Sequence, residues 1–203
     1  MRPQVSITIA FVLATLTGVF AWQSLPVREP VYKGKRLSIW LDTYRKYGLA
    51  GVETWQVRLE QQEADEAVRQ IGTNALPTLL RMLRAQDSTL KVRFMDLAAK
   101  QHFIPIKYTS AEERRYRACC AFGVLRAKAR SAVPVLIQIA HENPSHDSRC
   151  YALAALASVG PSANEAMPFL LECVTNADGM VGVYAANALK AIDPEAAAKA
   201  GVK

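Results

Sequence analysis

A cassette that returns every 33 or 34 residues constrains this chain more than any other feature. It reads Arg117-Ala118-Cys119-Cys120-Ala121-Phe122-Gly123-Val124-Leu125-Arg126, then Tyr151-Ala152-Leu153-Ala154-Ala155-Leu156-Ala157-Ser158-Val159-Gly160, then Tyr184-Ala185-Ala186-Asn187-Ala188-Leu189-Lys190-Ala191-Ile192-Asp193. Alanine recurs at Ala118, Ala152 and Ala185 and at Ala121, Ala155 and Ala188. Large apolar residues follow at Phe122, Leu156 and Leu189 and at Leu125, Val159 and Ile192. These offsets trace one stripe on a helix, with alanine where a neighbouring backbone must come close. A fixed period of this size predicts an all-α solenoid of stacked antiparallel helix pairs, an architecture that usually holds other molecules without transforming them.

A second helix opens with proline in each unit, at Val133-Pro134-Val135-Leu136 and at Met167-Pro168-Phe169-Leu170. Proline is tolerated in a first helical turn because its missing N–H has no intrahelical partner there. An earlier copy reads Ala64-Asp65-Glu66-Ala67-Val68-Arg69-Gln70-Ile71-Gly72 and then Ala75-Leu76-Pro77-Thr78-Leu79-Leu80. Its glycine-to-proline spacing is three residues shorter than between Gly160 and Pro168, which predicts a tighter turn. The last copy shows one clear helix.

The motifs Ile71-Gly72 with Ala75-Leu76-Pro77, Val159-Gly160 with Ala166-Met167-Pro168, and Ala188-Leu189-Lys190-Ala191-Ile192 resemble the HEAT-repeat family, in its short bacterial form. The resemblance covers roughly residues 60 to 198 and implies an armadillo-like helical scaffold. Pro77 and Pro134 are 57 residues apart where 34 is the period, so residues 87–113 form an insertion. It contains an apolar helical piece, Lys91–Lys100, and an extended piece, Phe103–Tyr108. Such insertions map to one face of a repeat array, as a binding element or as a tolerated surface excursion.

The chain divides into residues 1–27, 28–59 and 60–203. Pro3 to Val27 is free of charge, with a dense apolar core from Val5 to Trp22. About twenty apolar residues span a bilayer, so this hydrophobic helix is expected to be a transmembrane anchor or a secretory signal. Val19-Phe20-Ala21 offers a signal-peptidase site, and Trp22 suits an interfacial anchor equally well. Arg28, Lys33, Lys35 and Arg36 follow the run, which by the positive-inside rule would keep the repeats cytoplasmic. Cleavage, or translocation of a long domain regardless of charge, would place them outside, and the reading leans to the extracytoplasmic side.

In the second segment, Tyr32-Lys33-Gly34-Lys35 reads as a turn, and Ser38 as the cap of a helix presenting Trp40, Leu41 and Tyr44. Tyr32, Gly34, Leu37, Ser38, Trp40 and Leu41 are similar to a block in membrane-anchored or exported bacterial HEAT-repeat proteins. That block implies a cap over the first repeat. An aromatic ligand shelf is the alternative.

Charge falls in blocks. Residues 81–130 hold twelve Lys and Arg against four Asp and Glu, whereas residues 131–203 hold four against seven. The candidate partner-binding residues are Arg114, Arg115, Arg117, Arg126, Lys128 and Arg130. On one surface they would attract an acidic protein or peptide, anionic lipid or nucleic acid. A solvated face is the plain alternative. No aromatic-interleaved or Gly-rich nucleic-acid motif accompanies the block, and an exported domain seldom meets nucleic acid.

Nothing in the sequence spells catalysis. It contains no phosphate-binding Gly-rich loop, G-x-S-x-G elbow or His-Glu-x-x-His. His141-Glu142-Asn143-Pro144-Ser145-His146-Asp147 groups metal-ligand types in an inter-repeat loop, without a zinc spacing. Glu63, Asp65 and Glu66 are read as acidic groups favoured at a helix N-terminus. Cys119, Cys120, Cys150 and Cys173 form no C-x-x-C pair and read as packing thiols, although export would permit a bridge to Cys150. The expected protein is therefore a non-catalytic scaffold without cofactor, metal site or catalytic residue, binding a protein or peptide at or beyond a bacterial membrane. The competing classes are a phycobilin-lyase-like enzyme or tetrapyrrole-handling factor, and a cytoplasmic nucleic-acid-binding solenoid.

Overall fold

The computed structural model describes residues 29–44, 55–88, 93, 109–176 and 179–202. The apolar run of residues 3–27 and most of the 87–113 insertion, including both pieces expected there, lie outside the described residues. No helix among the described residues is long and apolar enough to cross a membrane.

Among the described residues the fold is all-α apart from one small hairpin, Val31–Tyr32 (β1) with Lys35–Arg36 (β2). Val31 pairs with Arg36 and Tyr32 with Lys35. The turn residues Lys33 and Gly34 both have positive φ, 47° and 74°, the type I′ geometry that matches strand twist. Helix α1, Leu37–Leu41, follows at once. Because β2 runs straight into it, the helix starts before Ser38, whose side chain is not its cap. The Ser38 N–H instead donates to the Glu29 carboxylate at 3.2 Å.

Eight further helices are described: α2 (Trp55–Ile71), α3 (Leu76–Leu83), α4 (Ala111–Leu125), α5 (Val133–Glu142), α6 (His146–Val159), α7 (Met167–Asn176), α8 (Gly179–Ile192) and α9 (Pro194–Lys199). Helix α2 starts at Trp55, upstream of the expected boundary at residue 60. Glu63, Asp65 and Glu66 consequently sit in mid-helix, where the helix dipole does not account for them. Helix α9 was not expected. Asp193 begins it, its carboxylate accepting from the Glu195 and Ala196 N–H groups at 3.0 Å, and Pro194 occupies the first turn.

Short 3₁₀ turns join the paired helices: Gly72–Ala75, Arg126–Ala132 and Gly160–Ala166. The first is the tighter, as the shorter spacing predicts. Helices α2, α4, α6 and α8 pack each against the next, while α3, α5 and α7 pack against α4, α6 and α8 respectively. The three turns touch in succession along one edge.

The recurrent stripe is the interior. Ala64, Ala118, Ala152 and Ala185 are fully buried, as are Val68, Phe122, Leu156 and Leu189, and these eight residues form part of one continuous core running from Leu37 to Ala197. Burying a side chain of valine size or larger contributes about 1.5–3 kcal/mol. Alanine at the recurring positions lets the backbones approach closely enough to make that burial complete. Leu37, Trp40, Leu41 and, just past the helix, Tyr44 extend the core over α2 and α4, so Trp40 and Tyr44 are packing residues.

Candidate functional site

Helix α4 and the turn after it carry all six candidate cations, and the structure divides them. Ser110 caps α4 by accepting the Glu113 N–H at 3.1 Å, and Asp87 accepts the Ala111 N–H at 2.6 Å. These contacts place Arg114, Arg115 and Arg117 in the first two turns, among acidic groups from distant segments. Arg114 pairs with Asp87 at 3.0 Å. Arg115, only 6% exposed, donates to the Ala85 carbonyl at 2.7 Å and to Asp147 at 3.2 Å. Arg117, also buried, pairs with Glu113 at 3.1 Å and with Asp42 beyond α1. Arg115 and Arg117 thus hold pairs together, and neither is presented to a partner.

The Arg115 contact repeats. Arg149, 34 residues later, donates Nε–H to the Ala140 carbonyl at 2.9 Å. Arg149 ties the start of α6 to a carbonyl in the last turn of α5, where a cation is also favoured by the helix dipole, and Arg115 ties the start of α4 to a carbonyl two residues past the end of α3. Sequence reasoning passed over this pair, yet the shared 34-residue spacing was available to find it. The Glu113 and Asp147 carboxylates share the spacing as well.

Arg126, Lys128 and Arg130 are exposed on the turn between α4 and α5. Among the described residues none of the three has an ion-pair partner. Arg126 adopts φ 48° and ψ −129°, a region that costs a residue with a side chain about 1–3 kcal/mol. The corresponding residues of the flanking turns are Gly72 at φ 60° and Gly160 at φ 68°, which enter it freely. The turn therefore needs this geometry, and here a charged residue occupies a glycine position. The Arg126 N–H still caps α4 by donating to Phe122 O.

Among the described residues, the two larger of three grooves bear on the candidate residues and the cap. One, about 530 Å³, lies over Arg115, Asp87, Glu112, Ser145 and Asp147. Its Arg115 and Asp147 side chains are already engaged with each other. The other, about 500 Å³, lies between the hairpin and α2, with Tyr32, Trp40, Leu59 and Glu63 in its walls. The Lys33 and Lys35 ammonium groups sit 5.4 and 4.5 Å from the Tyr32 and Trp40 ring centroids. Trp40 donates its indole N–H to the Tyr32 carbonyl at 3.2 Å, which fixes the ring.

Beneath this cap Tyr44 donates its hydroxyl to Asp65 at 2.5 Å, and Asp65 also faces Arg69 at 3.6 Å. Burial, then the Asp65 carboxylate, pushes the Tyr44 phenol far above its ordinary range. All four cysteines are free thiols. Burial raises each of them, with Cys119 pushed up to about 12 by burial and then by Cys120. His141 lies in the last turn of α5, its ring edge-on to Phe169, and His146 approaches the Cys150 sulfur at 3.8 Å. Among the described residues no group of three or more His, Cys, Asp or Glu side chains could hold a metal ion. No family model matches the chain, and no curated protein or solved structure matches it.

Proposed function

We propose that this chain is a non-catalytic scaffold of the HEAT-repeat type. In this reading the helix pairs stack as a solenoid, the apolar run of residues 3–27 holds or exports the domain at a bacterial membrane, and the repeats bind a protein partner. One observation carries the reading most. Equivalent positions are buried in four successive copies, and Arg115 and Arg149, one period apart, each bond a backbone carbonyl at or just past the end of the preceding second helix. Such nearest-neighbour construction gives an extended surface whose residues can vary without loss of the stack. The recurrent stripe is built of alanine and larger apolar side chains, and burial raises the Cys119 and Cys120 thiols above their ordinary value.

The reading is tested in cells carrying the full chain, with a photo-crosslinking residue at position 128 and a topology reporter after Lys203. A discrete protein adduct at position 128, on the extracytoplasmic side, is the expected result. Adducts to nucleic acid alone, with a cytoplasmic reporter signal, would overturn both the partner class and the export. Turnover of a tetrapyrrole by the purified chain would overturn the non-catalytic assignment.

A further inference from the structure

We propose that Arg126 anchors a docking ridge, built from the three side-by-side 3₁₀ turns, that reads the carboxylates of an acidic segment of a protein partner. The inference rests on the scaffold reading and assigns a surface and a partner chemistry to it. Its starting point is the backbone. Gly72 and Gly160 show what the turn geometry favours, and Arg126 adopts φ 48° where they adopt 60° and 68°. Glycine there would keep the N–H bond to Phe122 O and remove the strain, so the arginine side chain costs the turn stability. An exposed arginine held in such a conformation is best accounted for by what its guanidinium contacts outside the chain.

The neighbourhood matches that role. Lys128 and Arg130 are exposed on the same turn, and among the described residues neither has an ion-pair partner. The flanking turns add Thr73, Asn74 and Asn164, which are exposed, neutral and able to hydrogen-bond a peptide backbone, and one exposed carboxylate, Glu165, which leaves the three cations of the middle turn in excess on the ridge. Arginine presents a planar fork of donors suited to bidentate capture of a carboxylate. The same surface argues against the other anionic partners. None of the exposed large hydrophobic side chains lies on the three turns, so no wedge is available to enter a bilayer. The turns contain no aromatic residue on which a base could stack. An acidic protein segment laid across the turns needs neither.

The test uses the full chain in neutral detergent, with a fluorescein-labelled peptide of alternating aspartate and glutamate as the probe. Anisotropy titrations at low salt are paired with thermal melts. Arg126→Gly is expected to raise the melting temperature by about 3 °C while weakening peptide binding about tenfold. Arg126→Lys should keep the charge, lose the fork and bind at an intermediate strength. The paired outcome, a more stable chain that binds worse, is one that a merely tolerated arginine would not give. Unchanged peptide binding by Arg126→Gly would overturn the assignment of Arg126. If Lys128→Glu with Arg130→Glu then abolished binding, the scaffold reading would stand without this anchor. Absence of peptide binding by the unmodified chain, or preference for an oligodeoxynucleotide or phosphatidylglycerol vesicles, would overturn the acidic-segment assignment. The crosslinking experiment would still decide the scaffold reading separately.

Discussion

The two ends of α4 hold the same kind of side chain in opposite circumstances. Arg115 and Arg117, near its start, are buried and bound to groups from three other segments, at Ala85, Asp147 and Asp42, and to Glu113 of α4 itself. Arg126, just past its end, is exposed and strained, with Lys128 and Arg130 exposed beside it. In the sequence the six cations form one block of positive charge. In the fold, what separates them is whether a distant acidic group is brought within reach. Charge density alone therefore does not mark a binding face, and the portion that finds internal partners has to be subtracted first.

This contrast can be broken by substitution. Arg117→Ala should have the largest effect, because it removes the buried cation that Asp42 and Glu113 both bind. Removing one member of a buried pair costs about 3–5 kcal/mol, and solvent reaching the partly exposed Asp42 brings the expectation to about 3 kcal/mol in urea unfolding. A loss within about 0.5 kcal/mol, typical of a surface site, would place Arg117 with the exposed group. Arg115→Ala should follow, at about 2 kcal/mol, through its bonds to Ala85 O and Asp147. Arg149→Ala, with its single bond to Ala140 O, should cost about 1 kcal/mol. Equal losses at the two sites would mean that the Asp147 pair adds nothing to the tie.

Much of the fold was legible because its determinants are local or periodic. The buried set Ala118, Ala121, Phe122 and Leu125 follows from helical spacing, and Pro134 and Pro168 mark the second helices. The hairpin was legible from Lys33-Gly34. The roles of Arg115 and Arg117 were not, because Ala85, Asp147 and Asp42 stand 30, 32 and 75 residues away in sequence. The first turns of α2 carry no sequence signal, because Trp55 and Leu59 are exposed and fit no buried stripe. Helix α9 was missed because six residues show too little periodicity, although Asp193-Pro194 is a helix-start signal. Arg126 hid a glycine position: the alignment showed the residue, and only the backbone showed its cost.

Smaller effects sharpen the picture of the cap. The folded chain holds the Tyr44 proton above the ordinary phenol value of 10.0, chiefly through burial and then through Asp65. Its contribution is fully present below that value and declines as pH rises beyond it, since the unfolded chain ionises first. Tyr44→Phe should lose about 1 kcal/mol at neutral pH and flatten the alkaline decline, as read by unfolding at pH 8 and 11. An unchanged alkaline slope would show that the phenol is not buried against α2. Lys128→Glu with Arg130→Glu should be the smallest change, within about 0.5 kcal/mol, because neither side chain has an internal partner to lose among the described residues.

The most direct test sets two double substitutions side by side in one urea-unfolding series. Arg115→Gln with Arg117→Gln removes two charges from the interior end of α4. Lys128→Gln with Arg130→Gln removes the same number from the turn. The account predicts a loss of at least about 3 kcal/mol for the first pair and a change within about 0.5 kcal/mol for the second. Equal losses, or a larger loss at the turn, would contradict the division of this basic block into internal ties and a presented edge.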